Sequence, residues 1–216
     1  MIEFLVIASI QLVILGGAEM TRKLGVGSFA TRKGAHVAAG VAASLLPFIV
    51  SKESAVLAGL IGAVLMGISV WRGVLPSIGE ARRIDIGALG FPLGLSVAAF
   101  FFWTNDSAIG YQYAALILAL PDALAGIIGT RGGRTDIELR RKTPLGSLMF
   151  ALSAFVISVP ILYLHLKLGL GISLMYATVA ALLLAAVEWI SGKGFDNLTL
   201  PASAGATLYV ITQLAF

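Results

Sequence analysis

An all-α, polytopic membrane bundle of about seven to eight helices is the fold class this sequence predicts, and three observations predict it. Of the 216 residues, 58% are hydrophobic and 12% are charged, about half the charged share of an ordinary soluble domain. Mean hydropathy is +0.97. Apolar runs long enough to cross a bilayer recur along the chain, and none alternates with the period of two that a membrane β-barrel needs. At this length a single membrane-embedded domain over residues 1–216 is expected.

The first apolar run, near 2–19, lacks the basic segment and clear cleavage site of a secretory leader and reads as a retained helix. Further helices are expected near 33–50, 54–71, 86–103, 108–128, 144–166, 170–190 and 201–216, the last of them short. The connections decide orientation. Thirteen of the 15 Lys and Arg fall in the first, third, fifth and seventh loops, and only Lys52 and Lys167 lie on the other side. The positive-inside rule then puts those four loops in the cytosol and both termini outside, with a prokaryotic plasma membrane as the expected location. The chain has no cysteine, which excludes disulfides and thiolate metal sites. A pI near 9.6 reflects these topology-setting cations; no nucleic-acid motif accompanies it, and no nucleic-acid partner is expected.

Polar residues gather in four places, all on the basic face. In TRKGAHVAAG (31–40), Arg32, His36 and Gly40 share a helix face, with Lys33 three before His36. Topology anchoring alone would explain Arg32 and Lys33. It would not explain His36, an ionisable group one turn into a span that requires a partner. In PDALAGIIGTRGGR (121–134), Asp122, Gly126 and Gly129 lie on one face. The carboxylate needs a cation or an ion pair there, and the glycines let a ligand or helix approach the backbone. Arg131 and Arg134 follow in a glycine-rich loop, a combination suited to phosphate. The chain contains no Walker P-loop.

In RRKTPLGSLMF (140–150), Thr143 is placed to cap a helix whose first residue is Pro144. That helix start, with Lys142 before it and Gly146 and Ser147 in the first turn, attracts phosphate or is simply a capped end beside anchoring cations. In VEWISGKGFDNLTLPASAG (187–205), Glu188 lies near the end of a span and Asp196 eight residues on, followed by Asn197 and Thr199. Asp-Asn between Gly and Pro is ordinary turn chemistry. Turn chemistry does not explain Glu188. Magnesium takes one or two carboxylates and completes its shell with substrate phosphates, so Asp122 with Asp196 or Glu188 would serve if the helix ends converge.

The order of these segments resembles the polyprenol kinases, the family of dolichol, phytol and farnesol kinases. The resemblance runs from about residue 30 to 205 and rests on Arg32-Lys33-x-x-His36, Phe91-Pro92-Leu93-Gly94, Asp122-x-x-Ala125-x-x-x-Gly129, Lys142-Thr143-x-x-Gly146-Ser147, Glu188 and Asp196-Asn197-Leu198-Thr199-x-Pro201. The last segment is the most specific. Pro121 stands where the family pattern has a glycine, and the loop RGGRTDIELRR is more acidic than the pattern. The resemblance implies transfer of a phosphoryl group from CTP to the hydroxyl of a membrane isoprenoid alcohol. Asp122 and Asp196 would hold magnesium. Arg32, Lys33, Gly126, Gly129, Arg131, Arg134, Lys142, Thr143, Gly146 and Ser147 would surround the phosphates. Asn197 and Thr199 would shape the loop or touch the nucleotide, and His36, Asp196 or Glu188 would take the alcohol proton. Small-residue faces of the second, third and sixth spans would make a groove for the tail, or would serve only for packing. Two other activities are compatible with the sequence: a CTP-dependent cytidylyltransferase of lipid phosphates, and a small transporter without chemistry.

Overall fold

The computed structural model describes residues 1–74, 86–129, 142–192 and 194–215. Those residues form eight α-helices and no strand: α1 (Ile2–Lys23), α2 (Ser28–Leu45), α3 (Lys52–Arg72), α4 (Ile86–Phe102), α5 (Ile109–Gly129), α6 (Pro144–Pro160), α7 (Leu170–Ile190) and α8 (Asp196–Ala215). A short 3-10 turn, Leu46–Phe48, follows α2, and a π-helical turn, Ile161–His165, extends α6. The all-α membrane bundle expected from composition is thus the observed architecture.

Local chemistry explains the helix limits. Ser51 caps α3 by accepting a hydrogen bond from the Ser54 N–H, and Gly73 ends that helix in the left-handed region at φ 68°. Thr143 caps α6 by accepting from the Gly146 N–H at 3.0 Å, with Pro144 in the first turn, as its sequence predicts. One boundary differs from expectation. The segment at Asp196 is not a loop before a span starting at 201: α8 already begins at Asp196, and Pro201 lies inside it. A proline that early removes the N–H that would bond the Asn197 carbonyl and otherwise leaves the first turn intact.

Five helical stretches, Ile2–Lys23, Lys52–Arg72, Ile109–Gly129, Pro144–His165 and Leu170–Ile190, are long and apolar enough to cross a membrane, and α4 is apolar but shorter. α2 and α8 fall outside that set: α2 carries Arg32, Lys33 and His36 of the first cluster, and α8 opens on Asp196 and Asn197 of the fourth and carries further polar residues along its length. Large apolar side chains face outward around the bundle, among them Leu12, Val13, Val64, Val156, Leu182 and Tyr209, as a lipid-facing surface requires.

α5 is the central helix. It packs on α2, α4, α6 and α8; α7 lies against α6 and α8, α3 against α4, and α1 against α2 with a lighter contact to α3. Small residues set these distances. A Cβ on Gly40 of α2 would overlap Ala119 of α5, and Gly90 and Gly94 of α4 bring the start of α8 into backbone contact. Alternation of eight helices brings the starts of α2, α4, α6 and α8 and the ends of α5 and α7 to one end of the bundle.

Candidate active site

Charged side chains from α2, α5, α7 and α8, and from Lys142 just before α6, meet at that end. On α2, the Lys33 ammonium donates to Asp122 Oδ2 of α5 at 2.7 Å and to the Asp122 carbonyl at 3.2 Å. His36, one turn on, holds Nε2 3.4 Å from the same carboxylate oxygen and 2.9 Å from the Leu118 carbonyl. A carbonyl can only accept, so Nε2 carries a proton, and in the neutral ring Nδ1 then holds the lone pair. The His36 ring sits edge-on to Phe91 of α4 at 4.7 Å. Pro121 shapes the turn before Asp122: it lacks the N–H that would meet the Ile117 carbonyl, and its ring is fully packed in the core.

A second lysine organises the other side. Lys142, just before α6, lies 2.8 Å from Glu188 Oε1 and 3.3 Å from Asp196 Oδ2, and it also donates to the Glu188 carbonyl. Glu188 is buried at 6% exposure. Its other oxygen, Oε2, accepts from the Ser147 hydroxyl at 2.9 Å. Both carboxylate oxygens are therefore engaged, and the buried charge is balanced. Asp196 Oδ1 accepts from the Gly194 and Asn197 N–H groups, each at 3.1 Å, an arrangement typical of an acid at a helix start.

The Phe91-Pro92-Leu93-Gly94 segment seats this helix start. Asn197 Nδ2 donates to the Gly87 carbonyl at 2.7 Å. Gly194, at φ 86°, lies so close to α4 that a Cβ would come within 2.7 Å of the Gly87 nitrogen. A Cβ on Gly94 would overlap the Asn197 carbonyl, the one Pro201 leaves without a helical partner. The sequence reading did not single out Gly87, Gly90 or Gly194. The Gly90-x-x-x-Gly94 spacing was the available signal, since it marks a face that another helix can approach closely.

The polar groups open into a cavity of about 490 Å³. Arg32, Lys33, His36, Asp122, Asp196 and Asn197 line one part of it. The rest is mostly apolar, Gln11 and Tyr111 apart, and runs between α1, α2, α3 and α4, past Ala39, Pro92, Gly62 and Ile14, to Leu46 and Ile7. The groove expected from the second, third and sixth spans therefore involves α2 and α3, with α1 and α4 in place of α6. α6 instead packs on α5, where a Cβ on Gly129 would come within 2.7 Å of Thr143 Oγ1 and one on Gly146 within 3.0 Å of the Ala125 carbonyl oxygen.

The structure thus brings Arg32, Lys33, His36, Asp122, Lys142, Asp196 and Asn197 together, with Ser147 and Glu188 behind Lys142. Gly126 lets the Lys33 stem pass: a Cβ there would come within 2.7 Å of Lys33 Cε. Thr143 and Gly146 form the capped end of α6. Thr199 faces away from the cavity, sharing a 2.7 Å hydrogen bond with the Ser191 hydroxyl and donating to the Phe195 carbonyl. Arg131 and Arg134 lie outside the described residues. Among the described residues no three His, Asp or Glu side chains gather closely enough to enclose a metal ion by themselves. A divalent ion between Asp122 and Asp196 would fit only as a shared one, with the remaining oxygens supplied by a ligand's phosphates and water.

Comparison with known proteins agrees with the motif resemblance. The chain is 29% identical over 175 residues to phytol kinase of Synechocystis sp., an alignment covering 79% of this chain and 74% of that protein. This places the chain in relationship to the polyprenol and phytol kinases. No protein-family model matches the chain, and no solved structure matches it.

Proposed function

We propose that this protein phosphorylates the hydroxyl of a membrane isoprenoid alcohol, using CTP as donor, at the cytosolic face of the membrane. One observation carries the reading. A cluster of Arg32, Lys33, His36, Asp122 and Asp196, with Lys142 paired to Asp196 behind it, opens into a largely apolar cavity inside a membrane bundle. A nucleotide is polyanionic and water-borne, and a prenol tail is apolar, so an enzyme joining them needs both surfaces in continuity. The relative named phytol kinase supports the substrate class, and the sequence resemblance supports CTP.

Phosphoryl transfer is mostly positioning and charge neutralisation. Lys33, Lys142 and Arg32 supply cations for the phosphate oxygens. Asp122 and Asp196 would hold magnesium, which when bound would neutralise charge on the triphosphate. Lys33 and Lys142, which pair with these aspartates, stand beside that position. The alcohol oxygen bonds to the terminal phosphorus, the bond from that phosphorus to the bridging oxygen breaks, and the nucleoside diphosphate leaves. The proton goes to His36 Nδ1. His36 stands where the polar mouth passes into the Ala39 wall, the depth at which a membrane alcohol holds its hydroxyl. Glu188 lies off the cavity with both oxygens engaged, so it acts as the support of Lys142.

The purified protein, with magnesium, terminally labelled CTP or ATP and a panel of prenols, tests this directly. Label in a lipid-soluble prenyl phosphate, with CTP preferred, is the expected result. Pyrophosphate release with a lipid phosphate acceptor would identify a cytidylyltransferase, and absence of any turnover from folded protein would end the enzymatic reading.

A further inference from the structure

From Arg32 onward α2 presents one face to the cavity, and Leu46 continues it just past the helix end. His36, Ala39, Ala42, Ala43 and Leu46 follow the spacing of a single helical stripe, and all of them line the space. The chemistry of that stripe changes in one direction, from an ionisable residue at the mouth, through alanines, to a leucine. Between His36 and Leu46 the chain rises by about 15 Å, roughly half the thickness of the hydrocarbon core.

The far end is closed. Leu46, Ile7, Ala55 and Ala58 line the cavity, and the same four residues pack into a small apolar cluster that Val50 and Trp103 complete from behind. Neither Val50 nor Trp103 reaches the cavity. The space therefore ends on an apolar floor, with its charged groups at the opposite end and Gln11 a polar side chain along the way. Its volume of about 490 Å³ lies within the roughly 300–1,000 Å³ of sites that enclose a single drug-sized ligand. An alcohol of three or four isoprene units is a ligand of that size. A dolichol is several times larger.

We propose that this pocket gauges the length of the alcohol tail, with Ala39 and Ala42 setting the bore and Leu46 the stop. The proposal rests on the kinase reading above and adds to it: the preferred substrate is a short prenol of about fifteen to twenty carbons, selected by the outer end of α2 and the facing end of α1. The selection is steric. An apolar pocket discriminates a methylene group by about tenfold or more when the chain has nowhere to go, and added bulk in a packed wall is strongly resisted.

The test uses the full chain in lipid nanodiscs with alcohols of about ten, fifteen, twenty and more than forty carbons, for the native protein, Ala42→Phe and Leu46→Ala. In the native protein, kcat/KM is expected to fall about tenfold or more beyond twenty carbons. Ala42→Phe should lower the ratio of twenty-carbon to ten-carbon turnover by about tenfold. Leu46→Ala should raise turnover of the longest alcohol relative to the fifteen-carbon one by several fold. If both variants keep the native length profile, the gauge is wrong. Should Ala42→Phe lose every length together, Leu46→Ala decides alone, because it removes bulk and an unchanged profile there is equally fatal. If the native protein phosphorylates no alcohol, the kinase reading fails separately. A twenty-carbon alcohol with a diazirine at its tail end then still tests occupancy: crosslinks near Leu46 and Ile7 support the pocket, and crosslinks confined to lipid-facing positions overturn it.

Discussion

α1 and α5 are nearly equal in length, at 22 and 21 residues, and each is apolar enough to cross a membrane, yet half of the apolar stretch of α5 is buried against 11% of that of α1. The difference lies in residue size. α5 carries Ala114, Ala115, Ala119 and Ala123 on packed faces, all at 2% exposure or less, and small side chains let neighbouring backbones close in. α1 turns Leu5, Leu12 and Val13 outward and buries only Ile7 and Ala18. Apolarity takes both helices into the membrane; side-chain size decides which becomes the frame. The frame holds Asp122 with Lys33 and His36, where the proposed chemistry would need fixed distances. The looser helix covers the pocket, where the proposed prenol tail would need room.

Breaking the frame at its charged end should have the largest effect. Asp122→Asn keeps the shape of the side chain but leaves Lys33 facing a neutral amide. Turnover of labelled CTP with a prenol should drop about a hundredfold or more, the scale seen when one preorganised charge contact is lost. Near-native turnover from the folded variant would remove Asp122 from the mechanism.

Two glycine substitutions sharpen the contrast between the helices. A Cβ on Gly40 would overlap Ala119 and lie 3.3 Å from the Ala115 carbonyl oxygen, whereas one on Gly16 of α1 meets nothing within 4 Å. Gly40→Ala should cost about 1–3 kcal/mol through overpacking. Gly16→Ala should be neutral or stabilising by up to about 1 kcal/mol, from helix propensity alone. Thermal unfolding in detergent should separate them in opposite directions. A similar shift for both would mean that α1 packs as tightly as α2.

A smaller effect is expected behind Lys142. Ser147→Ala removes the hydroxyl that meets Glu188 Oε2, at a cost of about 1–3 kcal/mol for an unmet buried acceptor. Glu188 still pairs with Lys142, so turnover should fall only several fold, mainly through a raised KM for the nucleotide. A loss as large as that of Asp122→Asn would make Ser147 a direct participant instead of a support.

The same contrast explains what the sequence disclosed. Eight apolar runs predict eight helices, because apolar length is a local property. Thr143-Pro144 predicts a capped helix start for the same reason. The start of α8 was misread because Asp196-Asn197 and Pro201 suit a turn and a helix's first turns equally well. The pairing of Lys33 with Asp122 spans 89 residues, and no local pattern encodes which helix ends meet. The pocket was least legible. Ile7 and Ile14 face it, yet by composition they are indistinguishable from the lipid-facing Leu5 and Leu12 beside them.

The last prediction concerns what fastens α1. Near its N-terminus Glu3 Oε2 accepts from the Ser51 hydroxyl at 2.6 Å and the Ser51 N–H at 3.1 Å, tying α1 to the start of α3. Ile7, one turn on, belongs to the small cluster that closes the pocket. Glu3→Ala removes both hydrogen bonds and leaves the Ile7 packing. The net cost should be about 1 kcal/mol, since Ser51 can recover partners from water at the interface. Hydrogen exchange should locate it: amides in the first turns of α1 should exchange faster while those of α5 stay unchanged. Faster exchange in both helices would mean that α1 is a member of the frame after all, and the division between a fixed site and a looser wall would not hold.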